Sequence, residues 1–129
     1  MSKIEGTPWT MATNLLAKDF KGEAMSIFDL YRETLKTGQT VIENRTFVDC
    51  RLEGPAVIAV LDGVKFDSTD FGYTAGDVGK IVWRTESRTG VVGAIPFRHC
   101  TFLRCSFFAT GYAGPEHFLE QILALKSPT

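Results

Sequence analysis

Between Phe97 and Tyr112 the chain reads FRHCTFLRCSFFATGY, and large rings fall at Phe97, Phe102, Phe107 and Tyr112, each five residues after the last. A step of five is neither the 3.6-residue period of a helix nor the two-residue period of a strand. Cys100 and Cys105 stand two residues before Phe102 and Phe107, with Thr101 and Ser106 between, so the units CTFLR and CSFFA follow one another directly. The spacing fits a chain that makes a short face and a corner every five residues. Ring and small residue then point inward, and Phe108 points out.

These units resemble those of pentapeptide-repeat proteins, in which a small residue, a polar one and Leu or Phe are followed by two variable positions. The resemblance implies a short right-handed parallel β-helix of three to four coils, stacked at the ~4.8 Å spacing of β-strands. It extends over 45–73 and 92–112. Phe47, Leu52 and Val57 are five apart, as are Leu61, Phe66 and Phe71, with a slip of one residue between Val57 and Leu61; Val92 extends the last run backward. The small position departs from the pattern at Arg45, Pro55, Val64 and Ile95, and the run breaks between Tyr73 and Val91.

A chain of 129 residues, 44% hydrophobic and 22% charged, fits one domain with a substantial core. Ten Phe residues suit a core of packed rings. The net charge of −1 gives no global case for nucleic acid or an acidic membrane, and none for mimicry of DNA, which asks for a long acidic rod. Residues 41–75 carry six acids against three bases, an acidic bias that reads as a solvated outer face. The N-terminal MSKIEGTPWT lacks an apolar signal core and no stretch approaches a membrane span, so a cytoplasmic protein is expected. Three cysteines in inward positions then read as reduced thiols, not a disulfide framework.

The domain divides into an N-terminal arm and capping helix (1–38), a solenoid (39–113) with an irregular insert (73–91), and a C-terminal capping helix (114–129). Trp9 docks the arm. A short helix is expected over 13–20 and a longer one over 22–36, with Ala24, Ile27, Phe28, Tyr31 and Leu35 as its apolar stripe and Gly38 as its stop. A solenoid exposes an apolar coil at each end, and helices would cover both. Gly114-Pro115-Glu116 opens the second, whose stripe of Phe118, Ile122 and Leu125 serves either as a cap or as a homodimer interface. Within the insert, Lys80–Glu86 reads as a strand, and 87–90 as a turn into a second strand over 91–97. That is a projecting hairpin or an irregular turn of the coil, and Trp83 is either an exposed contact or a cover for the core.

No catalytic or cofactor motif stands out: Gly72, Gly76 and Gly79 make no phosphate loop, and no nucleophile elbow occurs. His99 beside Cys100 is a poor thiol–base or metal pair, because neighbours on an extended chain face opposite ways. Asp49, Glu53, Asp62, Asp67 and Asp70 read as a solubilising surface, and Asp62-Gly63 as a turn. The leading expectation is a non-catalytic interaction or scaffold module for a protein partner, or a homodimer through the last helix or a solenoid edge. Trp83, Phe108, Phe118 and Ile122 are its candidate contacts. The alternative is an α+β curved-sheet cone, a small-ligand binder or enzyme, with His99 or Asp70 as the polar group in an aromatic pocket. Such a cone requires strands that alternate in and out with period two.

Overall fold

The structure, a computed structural model, describes residues 8–71, 82–84 and 94–114. The first part of the chain forms β1 (Thr10–Met11), β2 (Asp19–Lys21), β3 (Glu23–Ser26) and one helix, α1 (Ile27–Lys36). Short strands follow: β4 (Ile42–Glu43), β5 (Thr46–Val48), β6 (Arg51–Val60) and β7 (Lys65–Asp67). The remainder are β8 (Val82–Arg84), β9 (Ile95–Arg98), β10 (Thr101–Leu103) and β11 (Ser106–Gly114). Every pairing among these strands is parallel. The chain is thus mainly β, with two parallel sheets, and the antiparallel cone is not what these residues build.

The corners explain the period of five. Lys21, Val48, Leu103 and Asp67 are aligned across β2, β5, β10 and β7. The residue after each of them has positive φ: Gly22 at 63°, Asp49 at 54°, Arg104 at 51° and Ser68 at 53°. Asn44 and His99, which follow the aligned pair Glu43 and Arg98, repeat this at 61° and 51°. One left-handed residue in an extended run redirects the chain, here from one sheet to the other. His99 and Arg104 set two such bends five residues apart, and Ala109, five further on, takes positive φ at the irregularity within β11.

Aligned bends bring the rings into register. Phe20, Phe47, Phe102 and Phe66 form a face-to-face stack with centroids 5.0, 4.8 and 5.1 Å apart and planes within 10° of parallel. Strand spacing dictates that distance. Rings successive along the chain meet edge to face, because a bend lies between them: Phe97–Phe102 at 61°, Phe102–Phe107 at 60° and Phe107–Tyr112 at 78°. All four are buried, as are Cys50, Cys100 and Cys105. The Tyr112 hydroxyl donates to the Phe71 carbonyl at 2.8 Å, so the deepest phenol is satisfied.

Strand order along the ladders departs from chain order. The four-stranded sheet runs β2-β5-β10-β7, so β10 lies between two strands that precede it in sequence. Its neighbours hold it from both sides: Thr101 N donates to Arg45 O at 3.0 Å, and Lys65 N donates to Cys100 O at 2.9 Å. Likewise β9 lies between β4 and the end of β6, and β11 between β6 and β8. Residues 95–114 are therefore threaded between earlier segments and are not added at the end of the stack.

Several expectations are corrected. Residues 13–20 form turns leading into β2, not a helix, and the longer helix starts only at Ile27, after β3. Its inward residues are Ile27, Leu30 and Thr34, while Phe28 and Leu35 are exposed. Helical periodicity had grouped those two with Ile27 on a single face. Around Gly54-Pro55 the inward step lengthens to six, so Ile58 and Val60 are buried in place of Val57 and Leu61, and Pro55 is exposed. Within the insert, β8 pairs with β11, and after it β9 pairs with β4 and β6; the turn expected over 87–90 lies outside the described residues. Gly114 ends β11; the rest of the expected C-terminal helix lies outside the described residues.

Candidate functional site

Two features of the surface stand apart from the packed interior. The first is a row on the outward side of β6 and β11. Ser106 is aligned with Arg51 and Phe108 with Glu53, so residues of outward parity on both strands share one face. The Arg51 guanidinium lies 5.0 Å from the centroid of the Phe108 ring and 5.3 Å from that of Trp9. Its Nε also donates to Glu53 Oε2 at 3.0 Å. A cation held between two rings is attracted to both π faces, by roughly 0.5–1 kcal/mol each at an exposed site. Phe108 stays 55% exposed in this arrangement, and Met11 of the neighbouring arm 53%.

The second feature is a polar groove of about 310 Å³ lined by Leu16, Lys18, Thr37, Gln39, Glu43, Asn44 and Arg45. The turns after β1, the C-terminus of α1 and the bend between β4 and β5 converge there. Arg45 is only 6% exposed. Its Nη1 donates to the Leu15 and Ala17 carbonyls at 3.1 and 3.2 Å. Burial holds its pKa below the ordinary guanidinium value. Glu43, on the same groove, is engaged by Arg98, whose Nε lies 2.7 Å from Glu43 Oε2.

The thiols do not gather into a site with His99. Cys100 is fully buried, and burial pushes its pKa up to about 11. His99 sits at an exposed left-handed bend with its ring over Gly63. Cys50 and Cys105 face each other across the ladder. The hydrogen bond between them, together with burial, raises the Cys105 pKa. Among the described residues no three His, Cys, Asp or Glu side chains converge as metal ligands. No helix there is long and apolar enough to cross a membrane.

Of the residues singled out from sequence, Phe108 is exposed as expected, and it is the one that takes part in the aromatic row. The Trp83 backbone pairs with Ala113. The Trp83 side chain, Phe118 and Ile122 lie outside the described residues. His99 and Asp70 are both exposed, and Asp70 makes a backbone bridge to Ser106. Sequence reasoning missed the Trp9–Arg51 half of the row, because a cation–π contact across strands leaves no local pattern. It missed the groove as well, although Arg45 in a small-residue position was its visible sign. Comparison of the chain with protein-family models, with curated proteins and with solved structures returned no match in any of the three.

Proposed function

We propose that the chain is a non-catalytic protein–protein interaction or scaffold module built on a small right-handed β-solenoid of the pentapeptide-repeat kind. The bends every five residues and the stacked phenylalanines support the fold part of this reading. The observation that carries the functional part is the Trp9–Arg51–Phe108 row. Aromatic rings and arginine are the side chains that dominate binding energy at protein interfaces. Here Arg51 and Phe108 are presented on a sheet, with Trp9 just before β1, and a backbone held by strand pairing loses little conformational entropy on docking.

The occupant is a protein surface that lays apolar area on Phe108 and Met11 and places an acceptor near Arg51. A second copy of the chain is one such surface. The experiment compares the wild-type chain with Phe108→Glu and Arg51→Ala, each shown to be folded by circular dichroism. Sedimentation velocity reads self-association, and crosslinking in cells followed by mass spectrometry reads other partners. The expected result is an assembly formed by the wild type and lost in both variants. Identical assemblies, or a monomer without crosslinked partners in all three, would refute the reading. A crystal structure, read for the hand of the path from β9 through β10 to β11, checks the fold part.

A further inference from the structure

We infer that the groove at Arg45 is a binding site for a small oxyanion, a carboxylate or phosphate group gripped by Arg45 and Lys18. The argument begins with an anomaly of the sequence. Thr46, Thr101 and Lys65 are aligned, and so are the residues before them: Arg45, Cys100 and Val64. Two members of that rung are small and apolar, and the third is a buried cation. A buried guanidinium costs several kcal/mol in desolvation unless a charge or a full set of acceptors compensates it.

The compensation in the structure is half complete. A guanidinium has five N–H donors. The two on Nη1 meet the carbonyls of Leu15 and Ala17. Nε–H and the Nη2 pair have no partner among the described residues, and Arg45 makes no ion pair there. Yet no fully buried side-chain nitrogen among the described residues lacks a partner, so these donors are not wholly enclosed, and Arg45 is one of the residues that line the groove. The Nε–Nη2 edge is the fork that receives carboxylate or phosphate in a bidentate pair.

Lys18 strengthens the case. It precedes Asp19, which is aligned with Thr46, so Lys18 and Arg45 stand side by side just before the adjacent parallel strands β2 and β5. Thr46 N donates to Lys18 O at 2.7 Å, fixing that alignment. Both cations line the groove, and its single acid, Glu43, is already held by Arg98. An oxyanion between Arg45 and Lys18 would complete the fork, with Asn44, Gln39 and Thr37 as further polar neighbours. The groove, at about 310 Å³, is the size of a small-ligand site. It shares no residue with the aromatic row, so it stands or falls independently of the interaction reading.

The test is NMR on the full chain, following the Arg45 Nε–H and the Asn44 amide during separate titrations with sodium phosphate and sodium succinate. Sodium chloride at equal ionic strength is the control. The expected result is saturable shifts at both signals with one of the two anions below about 20 mM. The anion that saturates names the class, phosphate ester or organic acid. Arg45→Lys keeps the charge but loses the fork, and is expected to weaken binding about tenfold. Lys18→Gln changes an exposed side chain, so it tests the site even if the Arg45 variant fails to fold; weakening of about threefold or more is expected. Absence of saturable shifts with both anions overturns the inference. So does a Lys18→Gln chain that binds as tightly as the wild type.

Discussion

At the scale of single residues, the interior is decided by which rings lie on the ladder. Phe102 touches Phe47 and Phe66 face to face and Phe97 and Phe107 edge to face. Phe102→Ala is expected to cost roughly 3–5 kcal/mol, and exposed Phe108→Ala no more than about 1 kcal/mol, the worth of its contact with Arg51, in urea unfolding. Gly22 takes φ 63° with open space where a Cβ would stand, so Gly22→Ala isolates the cost of the left-handed bend. That cost is about 1–2 kcal/mol by the same measurement. The buried thiol of Cys100 titrates near 11 against an ordinary 9.0, so the native chain holds this proton more tightly than the unfolded one. The resulting stability is complete below about pH 9 and is lost as pH rises toward 11. Burial raises Tyr112 too, and it acts in the same sense, whereas the bond between Cys50 and Cys105 raises one thiol and lowers the other. The urea midpoint should therefore fall across that window, and less steeply in Cys100→Ala. These inward rings and thiols were legible from spacing alone. Val57 and Leu61 were misplaced because no local signal marks the six-residue step past Gly54-Pro55.

At the scale of elements, α1 shows where local propensity yields to pairing. Glu23-Ala24-Met25 has the composition of a helix start, yet these residues hydrogen-bond alongside β6 as β3, with Met25 aligned to Leu52. A ladder that buries Ala24 and Met25 outweighs a propensity difference of a few tenths of a kcal/mol per residue. The helix then begins where a side chain can cap it: Ser26 Oγ accepts from Asp29 N at 3.2 Å. Ser26→Ala should cost about 1 kcal/mol of stability in thermal or urea unfolding, with α1 the element that frays. Gly38 at φ 89°, donating to the Leu35 carbonyl at 3.0 Å, ends the helix where the sequence said it would. The aromatic row and the groove were harder to read, since each joins elements far apart in the chain. Trp9 meets Arg51, and Arg45 meets Leu15 and Ala17.

At the scale of the whole molecule, the parallel stacking was legible and the order of the stack was not. Units of nearly equal content have nearly degenerate partners, so Phe47 is as well suited to stack on Phe66 as on Phe102. Only the long-range packing chooses between them. The choice made here places 95–114 in the middle. Amide exchange should therefore be slowest at Phe102 and Phe107, matching global unfolding, with β1 and β2 opening first. A regular solenoid would instead show protection centred on strands midway along its chain. The same threading has a consequence for synthesis. As the ribosome delivers the chain in order, β5 and β7 are both made while the strand that belongs between them has yet to emerge. The nascent protein must carry unsatisfied strand edges and an incomplete stack of rings until β9, β10 and β11 are free. Over that interval it is a natural client for chaperones that shield open strands.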